Sequence, residues 1–144
     1  MVAVLAVVNA LTPAISRATG SIVASADTAD GRISTQIEIV HATGQSSSST
    51  VQAWTKNVGA VTIDALNRLD VFFGPETDFV RVPQGSPGCT SPCWTYTIEN
   101  DTTWTPTATL HITVYWTANL SSSETYYLKV VTPNGISDAR YFTV

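Results

Sequence analysis

The spacing of apolar residues changes near residue 34, and this change constrains the fold more than any other feature. Upstream, apolar side chains recur every three or four positions, which is the repeat of one helical face. Downstream, apolar and polar residues alternate, as they do in strands with one buried face. The sequence therefore predicts the α+β class, with a long N-terminal hydrophobic α-helix over residues 1–33 followed by an antiparallel, Ig-like β-sandwich over residues 34–144.

The predicted helix carries a continuous apolar stripe. No charged residue precedes Arg17, and the stripe continues beyond it, so we expect one helix of about 50 Å. The apolar face comprises Val4, Val8, Leu11, Ile15, Ala18, Ile22, Ala26, Ala29 and Ile33.

A helix this apolar needs a covering that a single domain does not supply. The sequence favours packing among copies of the chain, because a repeated interface that does not close produces a filament. Three other interpretations are a secretory signal peptide with small residues at Ala24-Ser25-Ala26, a membrane anchor, and a core helix of a globular domain. Pro13 and the short apolar run argue against the anchor.

The downstream region reads as a series of short strands separated by turns. In residues 109–116, Leu110, Ile112, Val114 and Trp116 fall on one face. Turn signals such as Gly74-Pro75 and Pro133-Asn134-Gly135 separate the runs. The other predicted strands are Thr35–His41, Val51–Lys56, Leu69–Phe73, Cys93–Ile98, Tyr126–Thr132 and Arg140–Val144.

Composition excludes several classes of protein. Only 12% of the residues are charged, 44% are hydrophobic and the formal net charge is −4. A disordered tail needs more charge and fewer apolar residues, and a nucleic-acid-binding surface needs a basic excess. This low charge and high hydrophobic content are typical of an extracellular β protein.

Cys89 and Cys93 enclose three residues in a loop rich in Gly and Pro. We predict a disulfide between them, which would place the protein outside the reducing cytosol. Reduced thiols and a metal site are the less favoured alternatives. Zinc would need two further ligands, and His41 and His111 are distant in sequence, so no metal site is predicted.

Two segments match the N-glycosylation acceptor pattern. Asn100-Asp101-Thr102 and Asn119-Leu120-Ser121 both lie in predicted turns. These asparagines are candidate modification sites if the protein is exported.

The sequence contains no recognisable catalytic motif. The two histidines lie in predicted strands without a Ser or Cys nucleophile signature nearby, and no glycine-rich phosphate loop or paired-carboxylate pattern is present. We therefore predict that the chain is not an enzyme and binds no cofactor and no nucleic acid.

Together, the apolar N-terminal segment and the Thr-rich β domain resemble the archaellin (archaeal flagellin) family, including its minor stator-type relatives. The residues that carry the resemblance are Gln52-Ala53-Trp54-Thr55-Lys56-Asn57-Val58-Gly59, then Leu69-Asp70-Val71-Phe72-Phe73-Gly74, and the C-terminal segment from Tyr127 to Val144. The resemblance implies a leader removed by a prepilin-like peptidase, residence in the membrane only before assembly, and N-terminal helices packed in a filament core beneath β domains.

Three functions follow from these observations. The first is a structural subunit of an archaellum-type extracellular filament, a homopolymer that supports motility or adhesion. The second is a minor stator-type component, anchored by its helix, with the β domain bound to other archaellum subunits or to the cell envelope. The third is an unrelated binding module in which exposed rings, such as Trp104 or Tyr126, stack against sugars.

Overall fold

A computed structural model describes residues 33–144 of the 144-residue chain. They form two four-stranded sheets in which all neighbouring strands run antiparallel. The first sheet has the order β1-β2-β6-β5 and the second the order β4-β3-β7-β8. The strands are β1 (Ile37–Gly44), β2 (Thr50–Asn57), β3 (Asp70–Pro75), β4 (Val80–Val82), β5 (Cys93–Glu99), β6 (Thr109–Tyr115), β7 (Thr125–Val131) and β8 (Ser137–Thr143).

The predicted α+β class is wrong, because the described residues form an all-β structure. Helical conformation among them is limited to residues 33–34 and to one 3-10 turn, Leu66–Arg68. The physical reason is that the described segment has the alternating pattern, which favours strands. The helix predicted over 1–33 lies outside the described residues apart from Ile33, and no described helix is long and apolar enough to cross a membrane.

The segment Ser34–Val144 is a compact unit in its own right, with its own core as expected of a domain that folds alone. Strand β6 shows how the core forms, because Leu110, Ile112 and Val114 are completely buried while the residues between them are half-buried. Each fully buried side chain of this kind contributes about 1.5–3 kcal/mol. The largest completely or almost completely buried side chains, from both sheets and from the connections between strands, join one cluster, which includes Trp94, Trp104, Phe73, Leu69 and Leu128.

The two sides of the domain, where the edges of the sheets meet, are closed by different groups. Next to β5, the main chain makes the connection: Trp94 N–H donates to Pro83 O at 3.0 Å, and Gly85 N–H donates to Trp94 O at 2.9 Å. Next to β1, side chains of β8 connect the two sheets. The Asp138 carboxylate accepts a hydrogen bond from Ile39 N at 2.8 Å, and the Arg140 guanidinium donates to Ile39 O at 2.9 Å.

Candidate interaction surfaces

In the sequence segment Lys56-Asn57-Val58-Gly59, at the end of β2, the buried Asn57 holds the following loop in place. Asn57 is completely buried, and its Nδ2 donates to Val61 O at 2.9 Å and to Trp104 O at 3.0 Å. Its Oδ1 accepts from Gly59 N at 3.0 Å. The amide therefore satisfies three main-chain groups, as a buried polar side chain must. Asn57 therefore fixes the loop after β2 and offers no exposed surface for binding.

The same loop requires glycine at position 59 for a steric reason. A Cβ atom at this position would lie 2.5 Å from Ser34 O and 2.6 Å from Gln36 N. Only glycine allows the loop after β2 to approach the start of β1 this closely. The approach includes a hydrogen bond from Val58 N–H to Gln36 O at 2.9 Å.

The outer face of the second sheet carries three neighbouring aromatic rings, which we call the aromatic strip: Phe79, Tyr127 and Tyr141. The Phe79 and Tyr127 ring centroids are 4.4 Å apart, and those of Tyr127 and Tyr141 are 5.0 Å apart. Phe79 is 44% exposed and Tyr141 61% exposed. Contiguous exposed aromatic surface of this kind is typical of protein interaction sites.

Glycine at position 74 makes room for this strip. Gly74 pairs with Tyr127 across β3 and β7, and its φ is +154°. A Cβ atom there would lie 2.7 Å from both Asp78 O and the Phe79 Cα atom. The absence of a side chain lets the chain fold back over β3, so that the Phe79 ring reaches Tyr127.

The middle ring of the strip, Tyr127, has a shifted pKa. Partial burial, and secondarily the nearby Tyr141 phenol, raise the pKa of Tyr127 above its ordinary value of 10.0. One row further along the sheet, Lys129 pairs with Phe72, and Phe72 pairs with Arg81. Arg81 Nε lies 2.7 Å from Asp70 Oδ1 in an exposed ion pair. The strip is thus an apolar patch bordered by charges.

The outer face of the first sheet carries a different row of neighbouring rings. Both histidines of the chain flank Trp54: His111 stacks on the indole at 4.6 Å and 5°, and His41 lies at 5.5 Å. His111 Nδ1 is 3.4 Å from Glu99 Oε1. The rings cover one another across β1, β2 and β6, so Trp54 offers less open ring surface than the aromatic strip.

The burial of Trp104 and Tyr126 excludes the interpretation in which these rings stack against sugars. Trp104 has no exposed surface and Tyr126 is 3% exposed. Trp104 donates from Nε1 to Ala108 O at 3.1 Å, and Tyr126 Oη accepts from Ser121 N at 2.9 Å. Both rings belong to the interior and cannot form a platform.

Sequence reasoning missed the aromatic strip, although one signal could have found it. Tyr126 and Tyr127 are adjacent, so one must face inward and the other outward. Lys129 is two residues beyond Tyr127 and shares its face, which assigns Tyr127 to the outside. The apolar Leu128 and Val130 assign Tyr126 to the inside, as observed.

The other residues singled out from the sequence lie apart from the strip. Cys89 and Cys93 are joined by a disulfide at the start of β5. Asn100 is exposed in the turn after β5 with a φ of 56°, and Asn119 is exposed in the connection between β6 and β7. Ile33 is 82% exposed. The rest of the apolar face of the predicted helix, from Val4 to Ala29, through which copies of the chain are expected to pack, lies outside the described residues.

The described residues offer little for small-molecule or metal chemistry. Two clefts, beside Thr35 and Asp64 and beside Thr43 and Gln52, have volumes of about 170 and 210 Å³. Ligand pockets usually measure about 300–1,000 Å³. No group of three or more His, Cys, Asp or Glu side chains is placed to hold a metal ion within residues 33–144. The outer faces are therefore the stronger candidates for recognition.

Comparison with known proteins identifies a family and a relative that each match almost the whole chain. Residues 1–142 match the model of the archaeal-type flagellin family. An uncharacterised protein of Archaeoglobus fulgidus is 30% identical over 151 residues, with 99% of this chain and 90% of that protein covered.

Solved structures share the fold. The archaellum periplasmic stator protein complex FlaF and FlaG of Sulfolobus acidocaldarius contains a chain 35% identical to this one, with a TM-score of 0.66 and coverage of 75% and 89% of the two chains. FlaG of the same organism alone is 36% identical, with a TM-score of 0.65 and coverage of 75% and 99%. The archaeal flagellum of Methanospirillum hungatei has a TM-score of 0.65 at 12% identity, over 97% of this chain and 87% of that chain, a likeness of fold alone.

Proposed function

The chain belongs to the archaeal-type flagellin family, and from that premise we propose that it is a stator-type component of the archaellum. In this role the β domain, Ser34–Val144, binds a partner subunit in the cell envelope and gives the rotating machinery a fixed point. The observation that carries the proposal is the 35–36% identity to stator chains over 75% of this chain, against 12% identity to the filament protein.

The surface chemistry supports a role in protein binding. Interfaces between proteins are enriched in Tyr and Phe, and their few strongly contributing residues are commonly aromatic. The aromatic strip has this composition, and two of its three rings are more than 40% exposed in the single chain. We propose that Phe79, Tyr127 and Tyr141 contact a FlaF-type partner, because the similar stator protein occurs in a complex of FlaF and FlaG.

A filament subunit is the competing function, and it has its own support. The family model is that of archaeal-type flagellin and matches residues 1–142. A filament subunit would surround itself with copies of the same chain, whereas a stator component would be present in few copies and contact a different protein.

A binding titration tests the proposed role. The β domain is titrated with the FlaF-type protein of the same host, and the titration is repeated with Phe79→Ser and Tyr141→Ser. We expect each variant to weaken binding at least about tenfold, as loss of an aromatic anchor does. Tyr115→Ser, on the outer face of the other sheet, is the matched control and should bind normally. The absence of binding by the unmodified domain, or equal weakening by the control, would contradict the proposal.

A further inference from the structure

The edge strands of the two sheets differ in how well they are protected against pairing with another strand. Unpaired edges associate unless charges, bulges, proline or short length prevent it. At β1, a bulge at Val40 interrupts the register, and the inward-pointing Asp138 and Arg140 of β8 occupy the space between β1 and β8. Strand β4 has only three residues and is followed by Pro83. Strand β5 has seven residues with no bulge in its pairing to β6.

The outward main-chain groups of β5 can be identified from its hydrogen bonds. Trp94 N–H and C=O bond to Pro83 and Gly85, on the side away from β6. Alternate residues of a strand point their main-chain groups in the same direction, so the N–H and C=O of Tyr96 and Ile98 also point away from β6. Within residues 33–144, no backbone group bonds to them on that side.

The side chains of the same residues are incompletely covered. Tyr96 and Ile98 pack against the core but are only half-buried, in contrast to Trp94, which is 1% exposed. An added strand would satisfy four main-chain groups and cover these two side chains together. Thr97 and Glu99 are exposed, and Thr95, half-buried, lies on their face of the sheet.

We propose that β5 is a self-association edge, which pairs antiparallel with β5 of a second copy about a two-fold axis at Thr97. In this register Tyr96 opposes Ile98 of the other copy, so all four outward N–H and C=O groups of each chain find partners. A register centred on Tyr96 would require the groups of Trp94, which are already bonded. The proposal is independent of the proposed function, since it concerns a different strand and a different sheet from the aromatic strip.

The outer side chains are compatible with this register. Thr97 opposes Thr97 of the other copy, and Thr–Thr pairs are favourable across antiparallel strands. Glu99 opposes Thr95 and therefore does not face another carboxylate. The result would be a continuous eight-stranded sheet with β5 of both copies at its centre.

Sedimentation equilibrium of the Ser34–Val144 domain tests the proposal, together with two lysine variants on the same face. For the unmodified domain we expect a concentration-dependent dimer. Thr97→Lys should weaken it at least about tenfold, because it places two like charges opposite each other at the axis. Thr95→Lys should dimerise at least as well as the unmodified domain, because the new lysine opposes Glu99. An equimolar mixture of Thr97→Lys and Thr97→Glu should recover the dimer.

Three results would overturn the proposal. One is an unmodified domain that remains monomeric at millimolar concentration. Another is a dimer that Thr97→Lys leaves intact. The third is equal loss of the dimer in Thr95→Lys and Thr97→Lys, which would exclude this register. Circular dichroism of each variant verifies that the domain is folded, and the lysine–glutamate mixture separates a folding defect from a charge effect.

Discussion

Arg140 on the last strand donates from its guanidinium to the carbonyl of Val40, the residue that bulges out of the first strand, at 3.1 Å. The same group donates to Ile39 O, and the neighbouring Asp138 carboxylate accepts from Ile39 N. The first and last strands of the domain are thus joined by charged side chains in place of a main-chain ladder. This arrangement closes one side of the domain, because side chains of β8 bond to main-chain groups at the edge of β1.

Removal of the Asp138 carboxylate should destabilise the domain. Asp138→Ala leaves the partly buried Ile39 N–H without an acceptor, which costs about 1–3 kcal/mol. Asp138→Asn keeps an acceptor oxygen and should cost less. Urea denaturation measures both, and hydrogen exchange at the Ile39 amide should accelerate in the alanine variant.

The control for Asp138 is Asp70→Ala, which breaks an exposed ion pair with Arg81. Exposed pairs contribute at most about 1 kcal/mol. If Asp70→Ala and Asp138→Ala lowered the free energy of unfolding equally, the closure of the β1–β8 side would not depend on Asp138.

Asn57 should be among the most sensitive positions. Asn57→Ala leaves the Val61 and Trp104 carbonyls and the Gly59 N–H without a side-chain partner. Trp104 O keeps its hydrogen bond from Ile63 N–H at 3.1 Å, so the partly buried Val61 O and Gly59 N–H are the groups left unsatisfied. Since each such group costs about 1–3 kcal/mol, we expect a total loss of about 2 kcal/mol or more. Thermal unfolding measures it, with the exposed Asn119→Ala as the control that changes stability little. A small effect at Asn57 would show that water or loop movement replaces these bonds.

Tyr127, the middle ring of the aromatic strip, should titrate at a higher pH than an ordinary phenol. The pKa of Tyr127 is raised by burial and then by Tyr141, so Tyr127 should ionise later than an ordinary phenol. Its neutral form is favoured by folding, so this contribution to stability is fully present below the unfolded pKa near 10.0 and is lost as the pH rises through the folded pKa.

Tyrosine-resolved NMR titration measures this shift. Tyr141→Phe removes the charge-based part and should lower the pKa of Tyr127 towards its ordinary value without reaching it, because burial remains. A Tyr127 pKa at or below that of an ordinary phenol in the unmodified domain would contradict the described packing of the strip.

Much of the strand pattern was predictable because alternation is a local property. The segment around Leu110, Ile112 and Val114 was expected to be a strand with these residues inside, and all three are completely buried in β6. Other strands begin or end within a few residues of their predicted positions. Strand β4 was missed because its three residues lie between turn signals and are too few to show a period.

Which aromatic residues are buried in the core was less predictable from the sequence, because burial depends on which strands of the other sheet lie opposite. Trp94 and Trp104 are buried in the core, whereas Trp54, Phe72 and Trp116 are only half-buried. The hydrogen bonds between β1 and β8 could not be predicted from the sequence either, because Ile39 and Asp138 are far apart in the chain and only the fold brings them together.

The stator role is tested most directly by finding where the protein resides in motile cells of its host. Filaments are sheared from the cells, and the chain is quantified by mass spectrometry in the filament fraction and in the envelope fraction, against the major filament subunit. We expect the chain to remain with the envelope in far fewer copies than that subunit and to be absent from purified filaments. Recovery of the chain as a major component of the sheared filaments would contradict the stator role.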